Sequence, residues 1–216
     1  MVTTHIKRKR KKTMTMKMSR HGALIIFVKN PQEGKVKTRL AAGIGSQAAL
    51  GVYLKLLNIT RSAANQSDVE RYLFYNNEII NNDDWSESKF QKHIQQGGDL
   101  GQRMNNAFEQ VLKQNHKAVI IGSDCPDISK DIIEEALSAL DEFDCVVGPS
   151  FDGGYYLLGM RNHNPQLFEN IKWSSDSVLE STLTIIKEMG LTVHQLSPLR
   201  DIDTIDDLKF YPELYP

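Results

Sequence analysis

The stretch from Ala118 to Asp127 reads AVIIGSDCPD. Its apolar part, with Lys117 before it and Gly122 after it, predicts a strand buried on both faces, as in a parallel sheet. The strand breaks at once into Ser123, Asp124, Cys125, Pro126 and Asp127. In open α/β sheets, ligands bind beyond the carboxyl ends of the strands. Asp124 is therefore placed to hold a divalent cation against a phosphate-bearing ligand. Helix capping is the competing use of this segment, because Asp127 or Ser129 can cap a helix starting near Lys130. Pro126 keeps the turn at Asp124 out of that helix. This favours the metal for Asp124 and the cap for Ser129.

A second set of charges follows the first predicted strand. The loop from Asn30 to Leu40 reads NPQEGKVKTRL, with Pro31 and Gly34 marking a turn. Lys35, Lys37 and Arg39 then occupy every second position. In an extended loop, these side chains share one face and form a cationic comb suited to a polyphosphate. A solvated basic loop is the plainer reading. The segment is not a P-loop, since Val36 stands where Ser or Thr is needed and Lys29 where the first Gly is needed. The run from Gly43 to Ala48 has the spacing G-x-G-x-x-A. It lies well beyond the end of the first strand, so a dinucleotide site is rejected.

Two glycine-rich turns complete the candidate constellation. In QGGDLGQRM, Gly98 and Gly101 allow close backbone approach at a helix N-terminus, and Arg103 adds a cation. Recognition of a base, ribose or phosphate is one reading, and a flexible loop with Asp99 as a plain cap is the other. In DGGYY, Asp152 precedes Gly153 and Gly154, which remove side chains where a ligand can lie. Asp152 is a second candidate metal contact, or a general base toward an acceptor. A simple hairpin turn competes with both. Asp124 and Asp152 each follow a strand and are expected to converge. Trp173–Asp176 and Asp203 are weaker candidates, and Thr204 reads as a cap. The six histidines lack ligand spacing, and no G-x-S-x-G elbow is present.

The elements that must position these groups alternate between strand and helix. Strands are expected at Ala23–Val28, Arg71–Tyr75, His93–Gln95, Cys145–Gly148, Tyr155–Met160 and Leu191–Leu196. Helices are expected from Ser46, Asp99 and Lys130, over Asp176–Met189, and over Thr204–Phe210. The Ser46 helix should bury Ala49, Val52, Tyr53, Leu56, Thr60 and Ala63, and the Asp99 helix should turn Leu100, Met104 and Phe108 inward. Residues 76–90 read as an irregular insert. Such alternation implies an α/β layer fold with a mostly parallel sheet.

Composition limits the function. The first twenty residues hold eight of the 26 Lys and Arg and none of the 27 Asp and Glu. The remaining body thus carries 18 basic against 27 acidic residues. An acidic body argues against a nucleic-acid-binding domain. Residues 1–20 are expected to be a disordered basic tail, and residues 21–216 a single domain. No apolar run approaches the roughly 18 residues of a membrane span, and no apolar segment of a signal peptide follows the basic start. Two cysteines form no disulfide framework, so a cytoplasmic location is expected.

In order, the motifs P-x-x-GKVKTRL at 31–40, GDLG-x-RM at 98–104, IGSDCPD at 121–127, DGGYY at 152–156, Trp173 with Val178, and D-x-DT at 201–204 resemble a bacterial family of small glycosyltransferase-A-like proteins. That family was first catalogued as a domain of unknown function, and some members are described as arsenosugar-biosynthesis-type glycosyltransferases. The resemblance spans about residues 22–210. It implies a three-layer nucleotide-diphospho-sugar transferase fold (GT-A, Rossmann-like) with a mostly parallel mixed sheet. It implies that Asp124 is the metal-holding aspartate, with Mg²⁺ or Mn²⁺ as cofactor. It also makes the Lys35–Arg39 loop similar to the phosphate loop of nucleotidyltransferases that guanylylate molybdopterin or phospholactate. The leading expectation is glycosyl transfer from a nucleotide sugar to a small acceptor; the alternatives are nucleotidyl transfer from an NTP with release of pyrophosphate, and nucleotide binding without turnover.

Overall fold

The computed structural model describes residues 22–215, so the basic segment 1–20 lies outside the described residues. Seven strands form one sheet in the order β3-β2-β1-β4-β6-β5-β7. They are β1 (Ala23–Val28), β2 (Glu70–Tyr75), β3 (Gln91–Ile94), β4 (Ala118–Ile121), β5 (Cys145–Pro149), β6 (Tyr155–Met160) and β7 (Val193–Gln195). β6 runs antiparallel to both β4 and β5, and the other pairs are parallel. The fold is the expected mostly parallel mixed α/β sheet.

Strand alternation divides the core into two layers. Leu24, Ile26 and Val28 of β1 face a cluster with Tyr53, Leu57, Ile133 and Leu137. These come from α2 (Ser46–Gln66) and α4 (Lys130–Ala139). Ala23 and Ile25 face the opposite cluster, with Phe108, Val111 and Ile186, from α3 (Leu100–Leu112) and α5 (Val178–Glu188). A third cluster joins Leu40, Val52, Leu56, Ile202 and Leu208. It packs α1 (Thr38–Ile44) and α6 (Ile205–Leu208) against α2. No helix among the described residues is long and apolar enough to cross a membrane.

β1 and β6 begin and end as expected, and every residue named for the α2 face is buried. Ser129 caps α4 by accepting from the Ile132 amide. Thr204 caps α6 in a reciprocal capping box with Asp207. Leu100 departs from expectation, being 43% exposed in the first turn of α3. Helix α1 was not anticipated. Its N-cap is Lys37, which supplies no capping side chain, so the usual start signal is missing. This helix also corrects the cationic comb. Lys37 is left-handed, at φ 49° and ψ 44°, and the chain turns helical at Thr38. Lys35 and Arg39 are exposed while Lys37 is buried, so the three do not share one extended face.

One phenol ties the central strands together. The Tyr53 hydroxyl accepts from the Lys29 amide at 2.8 Å and donates to the Lys29 carbonyl at 3.0 Å. Ser123 Oγ, just past β4, lies 3.3 Å from the same oxygen. Tyr53→Phe deletes these bonds at a residue only 1% exposed. Urea denaturation is expected to show a loss of about 1–3 kcal/mol.

Candidate functional site

β1 is hydrogen-bonded to β2 on one side and β4 on the other. The chain order therefore reverses between β1 and β4, and a crevice is expected beyond their carboxyl ends. The loop after β1 and the turn after β4 meet there. Lys37 Nζ lies 2.5 Å from Asp124 Oδ1 and 3.5 Å from Asp203 Oδ1, with its side chain only 4% exposed. The same ammonium donates to the Ile202 carbonyl at 2.6 Å. Arg39 reaches Asp203 Oδ2 at 2.8 Å from a largely exposed position. The Ile202 amide donates to the Asp124 carbonyl at 3.0 Å, holding segment 201–203 beside the β4 turn. Lys29, Lys35, Arg39, Tyr53, Asp124 and Asp203 line a cavity of about 110 Å³ around Lys37. A larger open groove of about 500 Å³, beside α5, contains none of the sequence candidates.

The root of the cationic loop is fixed. Asn30 accepts from the Asn77 amide at 3.2 Å and donates to the Glu78 carbonyl at 2.9 Å. Its own amide donates to Asn76 Oδ1 at 2.7 Å. The loop is thus anchored to the segment after β2 at one end and to α1 at the other.

Asp201 is the acidic residue that sequence reasoning did not single out. Burial, reinforced by Asp124, Asp152 and Asp203, pushes its carboxyl up to about 7, and only Lys37 opposes this. The field of all three neighbouring carboxylates therefore meets at Asp201. The available signal was the alternation Asp201-Ile202-Asp203, with fully buried Ile202 turned to the core between the two acids. Tyr53 left no signal, because a tyrosine on an apolar helix face reads as core.

The other candidates are held mainly by their own loops. Asp152 Oδ1 accepts from Ser150 Oγ at 2.5 Å and from the Gly154 amide at 3.0 Å, which makes it the organiser of the β5–β6 hairpin. Gly153 sits at φ +88°, and an added Cβ would lie 2.1 Å from the Asp176 carbonyl oxygen. At Gly101 the added atom would lie 2.3 Å from Trp173 Nε1. The space these two glycines leave is filled by protein rather than left for a ligand. Beside Gly154, an added Cβ would meet Ser150 Oγ at 3.2 Å. Asp99 caps α3 at Gln102, the Gly98 amide donates to Gln102 Oε1, and Arg103 Nε donates to the Gly97 carbonyl. Among the described residues, no hydrogen bond or ion pair links this loop to Lys37, Asp124 or Asp203. Cys125 and Cys145 are free and buried, with burial pushing each thiol up to about 12, so neither is a ready nucleophile.

Among the described residues, no three His, Cys, Asp or Glu side chains are grouped closely enough to hold a metal ion. The donors that converge are two carboxylates, Asp124 and Asp203, and the Ile202 carbonyl, all gathered on the Lys37 ammonium.

Residues 59–175 match the family described as an uncharacterized protein conserved in bacteria, DUF2064. The chain belongs to this family. A candidate nucleotide-diphospho-sugar transferase from Desulfovibrio desulfuricans G20 is similar at 32% identity, over 86% of this chain and 84% of that one, with a TM-score of 0.79. The fold is that of the nucleotide-diphospho-sugar transferases. A 2-phospho-L-lactate guanylyltransferase from Methanocaldococcus sp. (strain FS406-22) is 27% identical over 129 residues, 60% of this chain. The chain spans 55% of the length of that curated relative. Rv0371c from Mycobacterium tuberculosis H37Rv, in complex with manganese, shares the fold at 14% identity with a TM-score of 0.50, over 89% of this chain and 96% of that one. The DUF2064 match includes Asp124 and Asp152 but ends before the acids at 201 and 203.

The raised Asp201 carboxyl has a consequence for stability. Below its ordinary value of 3.8, the group is protonated in both folded and unfolded chains. Between there and about 7, only the folded protein keeps the proton. This contribution is therefore lost as pH rises through that window. Asp201→Asn holds the position neutral. Its stability relative to wild type should increase steadily between about pH 4 and 7, as read by urea denaturation of metal-free protein across that range.

Proposed function

We propose that this DUF2064 protein is a metal-dependent transferase acting on a nucleotide-activated donor. We read its reaction as nucleotidyl transfer from an NTP to a small acceptor, with release of pyrophosphate. The observation that carries this reading is the crevice beyond β1 and β4, where Lys37 joins Asp124 to Asp203 while Lys29, Lys35 and Arg39 line the same cavity. Carboxylates for a cation and several cations for phosphates are what a polyphosphate bound to a divalent metal requires. The guanylyltransferase relative supports the nucleotidyl form of the reaction.

The donor set fits Mg²⁺ or Mn²⁺. Asp124, Asp203 and the Ile202 carbonyl are hard oxygen donors already gathered around one positive charge. Such ions are commonly held by one or two carboxylates, with water and substrate phosphate completing the shell. A cation held by Asp124 and Asp203 would neutralise phosphate oxygens as charge moves to the leaving pyrophosphate. Lys35 and Arg39, exposed at the cavity mouth, steer and orient the polyphosphate. An acceptor oxygen attacks the α-phosphorus, the α–β bridging bond breaks, and pyrophosphate carries away the bond pair. Asp152, whose charge acts on Asp201, is the candidate general base toward the acceptor. The acceptor is a small molecule, and nucleic acid is not a partner of this acidic body.

Glycosyl transfer is the second reading, supported by the D. desulfuricans relative. In that case the acceptor attacks an anomeric carbon, and a nucleoside diphosphate leaves. The purified protein is to be incubated with Mg²⁺ or Mn²⁺, panels of NTPs and sugar nucleotides, and phosphorylated or hydroxylated acceptors. Pyrophosphate is the expected product, and nucleoside diphosphate release would favour the second reading. Asp124→Asn is expected to lower turnover by about 10²-fold or more and to abolish metal-dependent nucleotide binding. Retention of that binding would overturn the assignment of Asp124.

A further inference from the structure

A buried lysine needs a reason, since charged side chains are rarely sequestered unless paired. Lys37 Nζ meets Asp124 Oδ1 at 2.5 Å, the Ile202 carbonyl at 2.6 Å and Asp203 Oδ1 at 3.5 Å. These are three oxygens from two separate segments, all of the donor class chosen by hard divalent ions. The backbone is strained to deliver this ammonium, because Lys37 is left-handed at φ 49°. That conformation costs a non-glycine residue roughly 1–2 kcal/mol. A salt bridge in the β region would cost nothing of the kind, and strain of this type collects at functional sites.

We infer that Lys37 is a resident stand-in for the divalent cation, holding the Asp124–Asp203–Ile202 seat until metal and polyphosphate arrive together. This rests on the reading above that Asp124 and Asp203 hold the metal. A divalent ion sits about 2.0–2.6 Å from its oxygens, so the ion and the ammonium cannot share the seat. Removing the ammonium alone would leave Asp124 uncompensated beside Asp201, with Asp203 keeping only its exposed partner Arg39 at 2.8 Å. The seat therefore always contains a positive charge. Metal alone must expel the lysine toward Lys29, Lys35 and Arg39, which line the same cavity, and is bound weakly. A polyphosphate in that cavity provides the receiver, so the lysine moves from carboxylate to phosphate as the metal enters. Metal binding and phosphate binding are thereby coupled through one side chain.

The test titrates MnCl₂, without nucleotide, into wild type, Lys37→Met, Lys37→Gln and Lys37→Arg, following bound Mn²⁺ by electron paramagnetic resonance and by calorimetry. Circular-dichroism melts verify that each variant is folded. Lys37→Met and Lys37→Gln are expected to bind Mn²⁺ at least 10-fold more tightly than wild type, and to gain more thermal stability from it. Lys37→Arg, which keeps a cation in the seat, is expected to show no gain. Adding Asp124→Asn to Lys37→Met should abolish the new site. If the uncharged variants bind Mn²⁺ no better than wild type, or if Lys37→Arg gains as much as they do, the stand-in role is overturned. Should both uncharged variants fail to fold, the Lys37→Arg comparison still decides, because a gain there overturns the role and its absence sustains it. A tight site that survives Asp124→Asn would instead sink the carboxylate assignment, which separates that failure from this one.

Discussion

An ammonium removed from water must have its lost hydration replaced by oxygen, and the placement of Lys37 answers to that demand. Its three oxygen partners come from the turn after β4 and from the segment entering α6. The Ile202 amide bond to the Asp124 carbonyl keeps those two segments in register. Below them, Leu40, Val52, Leu56, Ile202 and Leu208 form a small apolar base that α1, α2 and α6 share. The polar cluster thus rests on a dedicated hydrophobic footing, separate from the two main layers.

Close contacts also fix the loops that follow β3 and β5. Gly101 admits the Trp173 indole at the start of α3, and Gly153 admits the Asp176 backbone. The Leu179 amide then bonds to the Gly153 carbonyl at 2.9 Å. Segment 173–179 is therefore pinned both to the α3 N-terminus and to the β5–β6 hairpin. Asp152 keeps its orientation through this packing and through its own turn bonds. The roles of these glycines are to let protein meet protein, so the carboxyl edge keeps its shape before any ligand binds.

The legible parts of the sequence were those in which one physical signal acted alone. Ala23–Val28 and Tyr155–Met160 are continuous apolar runs bounded by polar or glycine residues, and their limits were readable. The α2 stripe from Ala49 to Ala63 follows helical spacing, and its burial was readable too. The positions of Asp124 just past β4 and of the cationic loop just past β1 followed from strand-end logic. Helix α1 was opaque because its cap position holds a lysine whose left-handed backbone depends on contacts more than eighty residues away. For the same reason, a cationic comb assumed from local spacing became one buried and two exposed cations. Asp203 was visible only as a weaker candidate, and Asp201 only as part of the D-x-DT motif with no role of its own, since a carboxylate beside a cap resembles ordinary helix-start chemistry.

The bond from Lys37 to the Ile202 carbonyl spans 165 positions of sequence. Its partner Asp124 lies near the middle of that interval. No sub-fragment of the chain can therefore reproduce the cluster, and any partial opening that releases α1, β4 or α6 dismantles it. Occupancy of the crevice is thermodynamically linked to the integrity of the whole sheet rather than to one loop. A ligand held a hundredfold above its dissociation constant would raise the free energy of global unfolding by about 2.7 kcal/mol. Resistance to proteolysis would then report the cellular supply of that ligand.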